Sequence, residues 1–285
     1  MDMDDGSQSD WTTETKPLSN EEEEKLKQQN SRLVTEYVAN KINVESKKHW
    51  DLFYKRNETR FFKDRHWTIR EFKELIGSEI SEKTILLEVG CGVGNFIFPL
   101  IAEQLNMFIY ACDLSPRAIE LLKLNPLYSE DTVVAFQTDI TTEHIYEDIQ
   151  RESVDIITLI FVLSAIDPSN YIKIARTLYF LLRPGGFILF RDYGLYDMAQ
   201  LRFKPGHKIS DNFYMRQDGT RSYFFAVDFL GELFKNAGFS IVTNCYIHRR
   251  TVNVKEGIDV PRIFVQAKFQ KPYVADDADR PINVK

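Results

Sequence analysis

Between Thr84 and Gly94 the chain reads Thr-Ile-Leu-Leu-Glu-Val-Gly-Cys-Gly-Val-Gly. The run 85–89 is apolar but for Glu88, and it enters three glycines at alternate positions; from Asn95 onward Phe96, Pro99 and Leu100 take a helical spacing. A strand buried on both faces reads as such a run, and a tight glycine turn then feeds a helix. Glycine at 90, 92 and 94 lets the backbone bend sharply and lets a ligand approach it closely, while the helix start offers N–H groups without intrahelical partners. The spacing is not that of the dinucleotide fingerprint G-x-G-x-x-G. About 20 residues after the turn a second apolar run, 107–112, ends in Asp113. An acid at the end of the second strand of such a unit can accept both hydroxyls of a ribose; the plainer reading is a loop acid or a helix cap.

A chain of 285 residues with 44% apolar side chains can bury a sizeable core, in one large domain or two small ones. No apolar stretch approaches the length of a membrane span, and the acidic, polar start is not a secretory signal. Cys91, Cys112 and Cys245 are isolated and the five histidines show no ligand spacing, so no metal site is expected. Unpaired cysteines suit a reducing compartment, with the cytoplasm or nucleus as the expected location. The net charge of −6 is unevenly spread. Residues 1–40 hold ten acids against four bases; residues 41–73 hold ten bases against five acids, and 202–255 nine against four. Two basic segments therefore remain available to an anionic partner, although either can also be an ordinary solvated surface.

Residues 1–18 read as a disordered acidic tail. Ser19 with Glu22 forms a capping box that opens a helix expected to reach Asn40. Residues 45–76 interleave bases and aromatics; Trp50, Phe53 and Tyr54 share one helix face, as a core stripe, a cofactor lid or a nucleic-acid platform. Thr68 with Glu71 resembles a second capping box, opening a helix to about Ile76. From there the pattern alternates α/β. Strands are expected at 84–89, 107–112, 133–137, 154–161 and 187–190, then two closing strands at about 239–247 and 262–269. Helices are expected at 95–104, 115–124, 168–182 and 228–236, with Arg-Pro-Gly-Gly at 183–186 as a turn. The expected fold is a seven-strand, mostly parallel Rossmann-like sheet with an antiparallel last strand. It carries an N-terminal helical extension at 19–78, a main domain at 79–272 and a flexible tail at 273–285. An insertion at 195–226 holds Asp218-Gly219 between apolar runs, a hairpin signal, so a basic and aromatic β-ribbon is expected near the carboxyl ends of the strands, where open sheets bind ligands.

Several stretches carry a resemblance: Trp-Asp-Leu-Phe-Tyr-Lys-Arg-Asn at 50–57, Phe-Phe-Lys-Asp-Arg-His-Trp at 61–67, Glu-Val-Gly-Cys-Gly-Val-Gly-Asn at 88–95, Ala-Cys-Asp-Leu-Ser-Pro-Arg-Ala at 111–118, Ile-Phe-Val-Leu-Ser-Ala at 160–165 and Phe-Arg-Asp-Tyr-Gly-Leu-Tyr-Asp at 190–197, with 213–225; those at 61–67 and 191–197 are far more specific than the glycine motif, which many families share. With these the chain resembles the tRNA N3-methylcytidine methyltransferases, most closely the methyltransferase-like protein six type, over about residues 19–272. The resemblance implies an S-adenosyl-L-methionine-dependent fold and methyl transfer to N3 of a cytidine in a tRNA anticodon loop, at position 32 in tRNA numbering. It further implies serine tRNAs as substrates and seryl-tRNA synthetase as partner. Outside the resemblance two other classes stay open, a small-molecule methyltransferase and a non-catalytic adaptor of a tRNA–synthetase complex.

In that setting Glu88, Gly90 and Gly92 hold the methionine part of the cofactor, and Asp113 takes the ribose. Asp139 faces the adenine amine, Ile140 stacks on the ring and Ile160 lines the sulfonium side. Trp50 and Tyr54, by resemblance, fold over the cofactor. Neutral cytosine carries a lone pair on N3, so the transfer needs no strong base, but an acid near the exocyclic amine would orient N3 and stabilise the arriving charge. Asp192 is the first candidate, with Arg191 on the base carbonyl and Tyr193 stacking or orienting; an Arg191–Asp192 ion pair is the plainer alternative. Lys55, Arg56, Arg60, Lys63, Arg65, Arg202, Lys204, Arg216 and Arg221, with Arg249 and Arg250, are candidates for phosphates. His66 reads as a structural or RNA-contacting residue.

Overall fold

The computed structural model describes residues 11–76, 83–253 and 258–273. Residues 1–10 of the expected tail, and 274–285 of the C-terminal one, lie outside the described residues. Trp11–Thr12 is ordered, as a short strand β1. The Ser19 capping box forms as read, with Ser19 Oγ accepting from Glu22 N, and opens α1 (Asn20–Asn30). The expected single helix is then broken. The chain leaves α1 at Ser31 and restarts at α2 (Glu36–Val44), whose N-cap Thr35 accepts from Val38 N. Next come α3 (Ser46–Asn57) and the short α4 (Thr68–Glu71). Thr68 is no cap: its hydroxyl donates to the Arg65 carbonyl and Glu71 reaches away to two arginines, so the second capping box is absent.

The remaining elements are β2 (Thr84–Val89), α5 (Ile97–Ala102), β3 (Met107–Asp113), α6 (Pro116–Lys123), β4 (Val133–Gln137), α7 (Ile145–Asp148), β5 (Val154–Ile160), α8 (Tyr171–Leu181), β6 (Leu182–Tyr193), α9 (Met198–Leu201), β7 (Lys208–Ser210), β8 (Phe213–Met215), β9 (Arg221–Tyr223), α10 (Val227–Asn236), β10 (Ser240–Asn253) and β11 (Ile258–Gln270). Among the described residues the main sheet has eight strands in the order β1-β10-β11-β6-β5-β2-β3-β4. β4, β3, β2, β5 and β6 pair in parallel; β11, the last strand, inserts antiparallel between β6 and β10. That is the expected sheet with one added edge, because β1 pairs antiparallel with β10. Arg-Pro-Gly-Gly at 183–186 is part of β6 rather than a turn, absorbed by a register shift against β5 between Val154 and Ile156. A separate ribbon, β7-β8-β9, carries the expected Asp218-Gly219 hairpin, in which Asp218 accepts from Thr220 N and Gly219 has φ +81°.

Successive strand residues face opposite sides of a sheet. Leu87, Ile157, Ile188 and Phe190 join the larger apolar cluster with α8 and α10, while Leu86, Ile109, Ile156 and Leu189 join the cluster that contains Phe72 and Leu75. Burial on both faces explains why β2 and β5 read as apolar runs. The carboxyl ends of β2 to β5 point to one edge, over which the aromatic face of α3 closes: Phe53 and Tyr54 pack with Val93 and Ala118.

Candidate active site

A cavity of about 340 Å³ opens at those strand ends, within the size range of small-molecule sites. Its floor is the glycine turn. Gly90, Gly92 and Gly94 have φ of +67°, +54° and +91°, a region other residues seldom adopt. A Cβ at Gly92 would stand 2.7 Å from the Tyr54 hydroxyl oxygen, so the bare backbone is what admits α3. Trp50 and Tyr54 line the cavity from α3, as do Glu88, Asp113, Asp139, Ile140 and Ile160 from the strand ends. All nine expected cofactor residues therefore converge on one cavity.

Asp113 is 9% exposed and accepts from Gly92 N at 2.9 Å and Ser115 N at 2.8 Å. Burial outweighs these bonds and pushes its carboxyl up to about 6. Asp139 uses one oxygen for Thr141 N and Oγ. Glu88 is buried and its Oε2 has no protein partner; burial raises its carboxyl well above the ordinary range, which Arg65 opposes. Thr138 Oγ is a second unpartnered buried atom on the cavity. The charged lining is Glu88, Asp113, Asp139 and Asp167 against Arg65 and Arg221. An acid excess with unmatched acceptors fits a ligand that carries cationic groups, hydroxyls and an amine; a sulfonium nucleoside has all three.

Two arginines expected on phosphates face this cavity instead. Arg65 donates to the Ile160 carbonyl at 3.1 Å and lies over the Phe161 ring. Its backbone N–H is held by the Asn95 carbonyl, at the exit of the glycine turn. Arg221 is buried, donating to Asn43 Oδ1 at 2.6 Å and Ser46 Oγ at 3.2 Å, so it pins α2 and α3 to the ribbon. Net segment charge could not tell a buried cation from a surface one. Asn43, Ser46, Thr138, Asp167 and Asn170 also line the cavity and were missed; they belong to no motif, and only the closure of α2–α3 over the strand ends brings them in.

At the end of β6 the three candidate catalytic residues separate. Asp192 and Arg191 do not pair, because strand alternation sends them to opposite faces. Arg191 is fully buried on the face of Leu189, over the Trp67 ring, and donates to Glu71 at 2.7 Å and Gln266 at 3.2 Å; it does not line the cavity. The expectation that it contacts the base carbonyl is thereby corrected. Asp192 is fully buried too and, like Arg191, is not part of the cavity lining; it accepts from Ser164 N and Tyr193 N, both at 2.9 Å, and burial lifts its carboxyl to about 6. Tyr193 stands half-buried. Its ring is 5.2 Å from that of Phe161, a cavity wall with the unusual φ of +60°, and the Arg216 guanidinium lies over it at 5.5 Å.

Arg216 leads outward. A groove beside the cavity is lined by Arg56, Arg202, Lys204, His207 and Arg216, with Asp218 as its one acid. Lys55 lies apart, in a second depression with Lys48, Asp51 and Arg117; Arg60 and Lys63 are exposed, Arg60 against Glu58. Arg249 is buried against Glu71 and Arg250 pairs with Asp259, so neither lies in the groove. His66 is exposed. Among the described residues no group of His, Cys, Asp or Glu could hold a metal, and no helix is long and apolar enough to cross a membrane.

A sequence profile of the Methyltransferase domain family matches residues 56–244. Among curated proteins the chain is 54% identical over 257 residues to tRNA N(3)-cytidine methyltransferase METTL6 of Homo sapiens, covering 90% of each. It is 42% identical to tRNA N(3)-methylcytidine methyltransferase trm141 of Schizosaccharomyces pombe, over 84% of this chain and 97% of that one. A solved S-adenosylmethionine-dependent methyltransferase of Anabaena variabilis superposes with a TM-score of 0.57 at 12% identity, over 79% of this chain and 95% of that one, a likeness of fold.

Proposed function

The chain belongs to the tRNA N3-cytidine methyltransferases, and from that premise we propose how its own residues carry the reaction and on which tRNAs. It is an S-adenosylmethionine-dependent enzyme that methylates N3 of a tRNA cytidine. The cofactor supplies a methyl group activated on a sulfonium. In our reading Asp113 accepts the ribose hydroxyls, Asp139 the adenine amine, and Ile140 packs on the ring. Glu88 faces the ammonium beside Gly90 and Gly92, Arg65 faces the carboxylate, and Ile160 flanks the sulfur. Trp50 and Tyr54 cover the site and exclude water.

The target base approaches from the basic groove, where Arg56, Arg202, Lys204 and Arg216 hold the RNA backbone. The observation that carries this path is that one ring, Tyr193, touches the cavity wall through Phe161 and the groove through Arg216. A loop base is read by splaying it out and stacking it on an aromatic ring. Asp192, one residue before Tyr193, then orients N3 and offsets the positive charge that arrives with the methyl group. We assign position 32 of serine tRNAs as the target and seryl-tRNA synthetase as the presenting partner, in the cytoplasm or nucleus.

Labelled methyl transfer from S-adenosylmethionine to purified serine tRNA, with and without seryl-tRNA synthetase, followed by nucleoside analysis, tests this. Methylcytidine formed mainly with the synthetase supports both substrate and partner. Equal label without it removes the partner. No label on serine tRNA while another tRNA is methylated overturns the substrate assignment.

A further inference from the structure

Arg191 does not line the cavity, but α4 connects the two. Its guanidinium is clasped from one side of α4 by Trp67 at 4.2 Å and, four residues on, by Glu71 at 2.7 Å. The other oxygen of Glu71 accepts from Arg249 Nη2 at 3.3 Å, and Arg249 comes from β10, two strands away from β6. One carboxylate thus ties α4 to the far strands of the sheet, and both arginines it holds are buried: the side chains of Arg191, Arg249 and Glu71 are 1%, 7% and 13% exposed. At the other end of the same segment, Arg65 is fixed by its N–H to the Asn95 carbonyl, by its carbonyl to Thr68 N and Oγ, and by its side chain to the Ile160 carbonyl inside the cavity. Five residues separate Glu71 from Arg65, the cation on the cofactor site, and Thr68, fully buried, is one of them.

We infer that Glu71, Arg191 and Arg249 are positioning residues that act on the cofactor through Arg65: the cluster docks α4 on the back of the sheet so that the Arg65 guanidinium is delivered beside Glu88. Buried pairs seldom add net stability over an apolar packing, whereas losing one partner is costly, which suits a role in fixing geometry. The inference rests on reading the cavity as the cofactor site.

A double-mutant cycle on the full chain tests it, with S-adenosylhomocysteine affinity read by calorimetry below the melting temperature of the weakest variant. Glu71→Gln is expected to weaken binding about tenfold in the wild-type background and less than about twofold in Arg65→Met, since coupled residues are non-additive. A loss of the same factor in both backgrounds, or none in the wild type, overturns the inference, because the cluster then serves the fold alone. If Glu71→Gln does not fold, Arg249→Lys, which keeps the charge and slackens one arm, must show the same dependence on Arg65 at smaller size, about threefold against none. Asp113→Ala included in the series separates the two claims: unchanged affinity there contradicts the cofactor reading itself, and the inference with it.

Discussion

Asp113 shows what burial does to a binding carboxylate. Its ordinary value of 3.8 is raised to about 6, so the folded, cofactor-free protein holds this proton more tightly than the unfolded chain does. Its contribution to stability is therefore present below about 4 and is lost as pH rises to about 6. Cofactor binding runs the other way, because the hydroxyls of a ribose donate to the ionised carboxylate. The rise in melting temperature caused by S-adenosylhomocysteine should accordingly shrink as pH is lowered from about 7 to about 5, and Asp113→Asn should bind weakly and flatten the dependence. A constant rise across that range would contradict the role given to this residue. At Gly92 the constraint is steric. Gly92→Ala combines a φ of +54° with a Cβ 2.7 Å from the Tyr54 hydroxyl, and cofactor affinity should fall at least about tenfold. Adding Tyr54→Phe removes the clashing oxygen and should recover part of that loss; no recovery would mean that backbone strain alone is responsible.

At the scale of elements, the hairpin between β8 and β9 serves two sites. Arg216 at its start lies in the groove, and Arg221 at its end holds Asn43 and Ser46 over the cavity. Arg221→Met should therefore loosen α2 and α3, raising the KM for the cofactor and speeding proteolysis near 31–46, while leaving tRNA affinity at fixed salt nearly unchanged. A fall in tRNA affinity with intact cofactor KM would return Arg221 to the RNA surface. These elements also show how far local pattern reaches. The strand–glycine–helix unit, the acid ending β3 and the Asp-Gly hairpin are written in short segments, where periodicity and turn chemistry decide. The side of the sheet on which Arg191 lies is set by alternation along β6 relative to Asp192. The same alternation turns the Arg191 side chain away from the face of Asp192, which adjacency in the sequence does not show. The fate of Glu71 depended on a contact with residues 120 and 178 positions away, which no capping pattern records.

For the molecule as a whole, an acidic protein handles a polyanion by sorting its cations. Some face the cavity (Arg65, Arg221), some are locked under the sheet (Arg191, Arg249), and those of the groove line the proposed RNA path. Arg202→Ala and Lys204→Ala should each lower the slope of log affinity against log salt by about 1, whereas Arg65→Met should leave the slope unchanged. A slope equally sensitive to all three would mean that the groove is not the RNA path. In the proposed mechanism cofactor and target base meet across Phe161 and Tyr193, and Asp192 acts only on the base. The most direct test is single-turnover methyl transfer by Asp192→Asn at saturating cofactor and tRNA, alongside calorimetric binding of S-adenosylhomocysteine. The predicted result is unchanged cofactor affinity with a rate at least about a hundredfold slower, the scale of a lost transition-state contact. A wild-type rate would contradict the claim, and so would a rate loss matched by an equal loss of cofactor affinity.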